Sequence, residues 1–190
     1  MWFLLFKSRT VVTVATQLSG VLAVVFACFT ASLLFAPVFA QTQGEKNMSE
    51  AGQNIESQNK AIVQASFEAW KAGTGSPYDL LSDDATWTIV GRSLASKTYG
   101  NREEFMSEVI RPFNARMSVG LKPTIRNLYA DGDTVIVFFD TKGTARDGKP
   151  YANTYAWFLE LRSGKVVKAS AFFDSVEFND FWQRITPTKN

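Results

Sequence analysis

Four stretches rich in β-branched and aromatic residues follow one another in the second half of the chain: Thr124–Tyr129, Thr134–Lys142, Tyr151–Arg162 and Lys165–Phe173. Only short turn signals separate them. Asp131-Gly132-Asp133, Arg146-Asp147-Gly148-Lys149 and Ser163-Gly164-Lys165 read as hairpin turns. The first half reads differently. Ile62, Val63, Ser66, Phe67 and Trp70 share one face of a helix over roughly residues 55–72, and Gly73 is a natural stop. Pro77 opens a short helical turn through Leu81, and Ala85–Val90 is a short strand. Asn101 and Glu104 have capping-box spacing. They start a helix that turns Phe105, Val109, Phe113 and Met117 inward, with Pro112 as a kink. Val176–Trp182 reads as a terminal helix or edge element, which Asp174 is placed to cap. Helices first and hairpin-linked strands afterwards imply an α+β class with an antiparallel sheet.

The order and spacing of several fragments resemble the nuclear transport factor 2-like superfamily, in particular its SnoaL-like branch, which is related to ketosteroid isomerases. The fragments are Leu81–Trp87, Tyr99–Phe105, Leu128–Val135, Asn153–Phe158, and Gly164-Lys165-Val166-Val167 through Phe173-Asp174. The resemblance implies a cone-shaped curved antiparallel sheet closed by helices, the cystatin-like α+β barrel. It also implies a pocket for a small, largely apolar molecule. Members include isomerases, cyclases, hydrolases and non-catalytic binders, so the fold alone selects no activity.

Alternation assigns the interior. In the run from Asn153 to Arg162, odd positions end in Leu159 and Leu161 and even positions in Glu160 and Arg162. Asn153, Tyr155 and Trp157 therefore face inward. The family frame adds Trp87, Ile89, Phe138, Asp140, Ala169, Ala171 and Phe173. The expected ligand-binding residues are Trp87, Phe138, Asn153, Tyr155 and Trp157. Tyr155 and Asn153 have the hydrogen bonds to orient a carbonyl or hydroxyl, or else to satisfy each other in the core.

Asp140 is the sharpest candidate for a general acid or base, or for a polar group that recognises a ligand. It ends the apolar run Val135–Phe139, where a carboxylate is costly without partners. The resemblance puts it at a position that epoxide hydrolases use. A structural reading stands beside this one: a salt bridge to Arg126, Lys142 or Arg146. The rest of that hydrolase set is absent, with Phe138 and Ala171 where it needs an Arg and a second acid. The isomerase set is incomplete too.

Composition removes other chemistries. The chain has no His and one Cys, Cys28, so His-based triads, cysteine nucleophiles in the folded part and His or Cys metal sites are excluded. Asp83-Asp84 and Asp131-Gly132-Asp133 lack calcium-loop spacing. No cofactor motif and no metal site are expected. Of the 20 basic residues, Lys7 and Arg9 lie in the first 40 residues, which hold no acid, and the net charge is +2. The remainder is balanced, so no nucleic-acid footprint is present.

Residues 1–40 read as a signal peptide: Lys7 and Arg9, an uncharged stretch from Val11 to Phe39, and Ala36-Pro37-Val38-Phe39-Ala40 before a polar segment. Cleavage is expected after Ala40, making the protein periplasmic or secreted. Residues 11–39 retained as a membrane anchor, the one expected membrane contact, are the alternative. Cys28 as a lipoprotein site is a poorer fit because of Phe26. Residues 41–56 read as a flexible tether, and residues 57–185 as the SnoaL-like domain. Phe172, with Phe158, lies on the supposed outer sheet face, which predicts a homodimer through that face.

Overall fold

The computed structural model describes residues 37–187, with side chains from residue 48 onward. Most of the expected signal peptide and of the alternative anchor lies outside the described residues, while the expected cleavage point after Ala40 falls within the first helix. Among the described residues no helix is long and apolar enough to cross a membrane.

The four predicted strands form an antiparallel meander that follows a pair of shorter strands. In chain order, α1 spans Pro37–Ala72, and a 3-10 turn spans Pro77–Leu80. β1 (Leu81–Ile89) and β2 (Thr98–Tyr99) follow, then α2 (Arg102–Phe105), a π-turn (Met106–Ile110) and α3 (Arg111–Asn114). The meander is β3 (Met117–Asp131), β4 (Thr134–Ala145), β5 (Pro150–Arg162) and β6 (Lys165–Phe173), and α4 (Ser175–Arg184) ends the fold. The described residues from 39 onward cluster as one unit.

Local chemistry explains the ends. Ser76 and Asp79 make a reciprocal capping box around the 3-10 turn. The Asn101 side chain accepts from Glu104 N at 2.8 Å, while the Glu104 carboxylate accepts from Gly100 N rather than from the cap residue. Asp174 accepts from Val176 N at 2.9 Å and caps α4. Pro112 cannot donate to the preceding turn, and the helix accommodates it by widening into the π-turn just before α3.

The sheet has six strands in the order β2-β1-β6-β5-β4-β3. Three corrections to the sequence reading follow. First, β1 pairs with β6 in parallel, Trp87 opposite Ala169 and Ile89 opposite Ala171. Hairpins force antiparallel pairing only between neighbours in sequence, and the whole meander separates these two strands. Second, the sheet is curved but not closed into a barrel; β2 and β3 remain its edges. Third, α1 begins at Pro37 rather than near residue 55, so the segment read as a tether is helical. Its Ala, Glu, Gln and Lys content favours helix even though this stretch, mostly exposed from residue 48 to residue 58, buries little.

Three register shifts in the β3–β4 pairing bend β3 across the end of the sheet. Gly143 sits opposite the second of them, between Val119 and Lys122. A Cβ there would lie 2.6 Å from Met117 Cε and 2.8 Å from the Val119 carbonyl oxygen, so the bend needs a residue without a side chain. The concave face carries Val135, Val137 and Phe139 of β4, each with no exposed surface. Phe67 of α1, Phe105 of α2, Phe113 of α3 and Phe178 and Phe181 of α4 join the same core.

Gly143→Ala is expected to lose about 1–3 kcal/mol in urea unfolding, because the Val119 carbonyl is backbone and cannot rotate away. Gly120→Ala, with nothing within 4 Å of the added carbon, is expected to stay within about 0.5 kcal/mol of the parent.

Candidate functional site

Between the concave face and the helices lies a cavity of about 580 Å³. β1, β5 and β6 supply Trp87, Tyr155, Trp157 and Phe173. Trp70 of α1 lies parallel to Trp157, with centroids 6.3 Å apart. Phe105 stacks on Trp87 at 4.5 Å, and Trp157 meets the same indole edge-on at 5.0 Å. Tyr78 reaches in from the 3-10 turn, 5.9 Å from Trp87. Met106, Val109, Ile110 and Phe113 complete the wall on the helical side. Offset and edge-to-face contacts of this kind are the arrangements aromatic pairs prefer, each ring here contacting more than one other.

The exposed lining residues mark the mouth. Gly73, Gly75 and Asp79 lie on one side, and Asn114, Val119, Gly120 and Lys122 on the other. Lys122 Nζ donates to the Lys71 carbonyl at 2.9 Å, tying β3 to the C-terminal turn of α1 across this opening. Asp79 is the one carboxylate in the lining. Its side chain is 65% exposed and accepts from Ser76 N, which places it at the mouth.

Trp87, Tyr155 and Trp157 therefore line the cavity as the sequence predicts. Asn153 stands one step behind. It is buried and does not line the space, but its amide donates to the Tyr151 hydroxyl at 3.0 Å. Tyr151 in turn pairs with the Tyr155 hydroxyl at 3.0 Å.

Phe138 and Asp140 are corrected. Phe139 lies opposite Tyr155 and Asp140 opposite Thr154, so the odd positions of β4 share the inner face and Phe138 and Asp140 point outward. Alternation could not phase this strand, because Val135–Phe139 is apolar at every position. Asp140 accepts from Arg126 Nε at 2.7 Å and from Thr154 Oγ1 at 2.7 Å. The Arg126 guanidinium and the Thr154 hydroxyl hold its carboxyl below the usual aspartate range. This is a structural ion pair on the outer sheet face, not an acid waiting in a pocket.

Several residues that matter were missed. Tyr151 shares the odd phase of Asn153, Tyr155 and Trp157, so the same alternation would have included it. Tyr78 follows a Ser-Pro cap but carried no pattern of its own. Burial pushes the Tyr78 and Tyr155 hydroxyls well above the ordinary phenol range, and Tyr151 up to about 12. These phenols are therefore permanent proton donors near neutral pH. Trp87 Nε1 is buried without a hydrogen-bond partner.

Residues 63–169, more than half of the chain, match the SnoaL-like domain family. The chain belongs to this SnoaL-like family. Solved structures agree on the fold. Bal32a, from a soil-derived mobile gene cassette, is 22% identical with a TM-score of 0.56, over 67% of this chain and 98% of that one. TerC, co-crystallised with polyporic acid, is 19% identical with a TM-score of 0.53, over 66% of this chain and 98% of its own. A protein from Jannaschia sp. CCS1, provisionally described as a SnoaL-like polyketide cyclase, is 19% identical with a TM-score of 0.51, over 65% and 90% of the two chains. No curated protein matches significantly. At these identities the structural likeness establishes the SnoaL-like fold and nothing narrower.

Asp140→Asn is expected to leave the affinity of any cavity ligand unchanged and to cost less than about 1 kcal/mol, since the pair is partly solvated. Because the folded-state value is lowered, the ion pair's contribution is present above the unfolded value of roughly 4. It is lost as pH falls through the lower folded value. Acid unfolding curves of parent and variant should therefore differ above that point and converge below it.

Proposed function

We propose that this SnoaL-like domain is an exported binder of a small, largely apolar molecule, held in the aromatic cavity. The observation that carries this reading is the combination of an open space of about 580 Å³ with walls of Trp, Tyr and Phe and no carboxylate inside its mouth. Such a space is large enough for a ligand of several fused rings and mostly apolar, as small-molecule sites are. A packed structural module would fill this volume. An acid–base enzyme working through Asp140 lacks its acid, which Arg126 occupies outside. TerC, which shares the fold, crystallises with polyporic acid; that fact belongs to TerC and lends this chain a ligand class by analogy only.

Export is part of the same proposal and rests on the basic start, the uncharged stretch and the Val38–Ala40 spacing. So does a homodimer through the outer sheet face. Phe158 and Phe172 pack edge-to-face there at 5.8 Å and stay exposed.

One experiment reads all three parts. The full-length chain is expressed in a bacterial host, purified from the extracytoplasmic fraction and examined by native mass spectrometry. The expected species is a dimer of chains beginning at Gln41 that releases a small apolar molecule on collisional activation. Bare protein that also fails to take up fused-ring aromatics would overturn the binding reading. A chain retaining residues 1–40 would replace cleavage by anchoring, and monomer at all concentrations would remove the dimer.

A further inference from the structure

One rim of the cavity mouth is a strand segment held by the sheet on one side only. β3 is an edge strand. The six residues Met117–Lys122 stand opposite only the four of Lys142–Ala145, so this stretch is bulged twice. Ser118 Oγ donates to the Thr144 and Ala145 carbonyls at 3.2 and 3.0 Å, which pins the start of the segment to β4. Beyond it Val119 and Gly120 are exposed, and a side chain added at Gly120 would meet nothing within 4 Å. The opposite rim is the end of α1, which closes in a Schellman turn. Gly73 N–H donates to Trp70 O at 3.0 Å and Thr74 N–H to Ala69 O at 2.9 Å, with Gly73 at φ +77°. This turn satisfies two of the last carbonyls of the helix and leaves that of Lys71 for another donor. Lys122 Nζ reaches it from across the opening at 2.9 Å. Among the described residues this is the one side-chain hydrogen bond that joins the two rims.

We propose that Val119–Lys122 is the gate of the cavity and that the bond from Lys122 to Lys71 O is its latch, setting how fast a molecule passes rather than how tightly it is held. As a gate for a ligand it rests on the cavity being a small-molecule site. The two rims differ in freedom to move. On the α1 side Trp70 lies against Trp157 and Phe67, so that rim is anchored in the core. On the β3 side no further strand holds the segment, and half-buried Leu121 is its apolar anchor. The latch is strong enough to favour the closed position and weak enough to break. A lysine beside a helix C-terminus is favoured by the helix dipole, but both groups are exposed and water competes for each. The lysine stem is also long and flexible, so holding it costs entropy. A ring system entering and one leaving cross the same opening. Loss of the latch therefore speeds both directions by a common factor and leaves their ratio unchanged.

The test is stopped-flow binding of N-phenylnaphthylamine, a neutral dye that brightens in apolar surroundings, to the full chain and to Lys122→Met and Lys122→Arg. Methionine keeps the apolar stem and removes the donor. Lys122→Met is expected to raise the association and dissociation rates together, by about two- to tenfold, the range for one exposed hydrogen bond. Lys122→Arg still carries donors for the Lys71 carbonyl and is expected to restore rates near those of the parent. Unchanged rates in Lys122→Met would overturn the proposal, whatever happens to its urea midpoint, because a merely structural tie lowers stability without opening a route. A change confined to dissociation would also overturn it, since that marks Lys122 as a ligand contact. Acrylamide quenching of the tryptophans, of which Trp70, Trp87 and Trp157 line the cavity, reads the mouth without any binding site. It is expected to be steeper in Lys122→Met than in the parent and in Lys122→Arg, and equal quenching in all three would overturn the gate. If the dye binds none of the proteins, the small-molecule reading loses its support, while the acrylamide comparison still decides for or against the gate.

Discussion

The pairing of Phe139 with Tyr155 sets the phase of the central strands, and everything about the cavity depends on that phase. Side chains alternate across a sheet, so a slip of one residue between β4 and β5 would exchange every inner group of one strand for an outer one. In the observed register Val135, Val137, Phe139 and Thr141 meet the helices, while Ile136, Phe138 and Asp140 face away. Burial enforces this choice. The three apolar inner residues are fully enclosed, and each is worth about 1.5–3 kcal/mol over exposure. The opposite phase would put the Asp140 carboxylate among them and leave Arg126 without its partner. The ion pair thus selects the register by what its burial would cost, more than by its own attraction.

A second constraint comes from the helices. Phe67, Trp70 and Trp157 pack as one aromatic group at one end of the concave face, and Phe113, Tyr151 and Phe181 as another near α4. The cavity lies between these two filled regions. The bent β3, relieved by Gly143 and crossed by Lys122, keeps its mouth apart from the sheet floor. Rigid rings on both sides cannot collapse into the gap, because moving one would break contacts with several others. The hollow is therefore a property of how the ends are packed, not a shortage of bulk in the middle.

Much of this was legible in the residues and some was not, for reasons that differ by element. β5 and β6 were readable because one face carries Glu160, Arg162 and Lys168 while the other carries Leu159, Leu161 and Ala169. Polar contrast supplies the phase. β4 lacks it: five apolar residues in a row satisfy either face, and only the partner strand decides. The parallel contact of β1 with β6 had no local signal at all, since it joins segments brought together by the whole meander. Caps were legible at Asn101 and Asp174 because their chemistry is confined to three or four neighbouring residues. Of the site, Trp87, Tyr155 and Trp157 could be read and Asp140 could not be placed. A buried carboxylate and an outward, paired one look alike in sequence when the strand around them is uniformly apolar.

The misplaced acid changes what the interior can do. With Asp140 outside, the only carboxylate lining the cavity among the described residues is Asp79 at the mouth, held by the Ser76 N–H and near Arg102. The deep polar groups of the lining are the phenols of Tyr78 and Tyr155 and the tryptophan indoles. Such groups stabilise charge or partial charge on a ligand oxygen, but a phenol raised further by burial takes no proton from carbon near neutral pH. Proton abstraction needs a base whose own pKa lies near the working pH, and desolvation here moves every deep titratable group away from it. The deep lining offers hydrogen-bond donors and, among the described residues, no carboxylate behind the mouth. The same burial that keeps these tyrosines protonated is what withholds general-base chemistry from them.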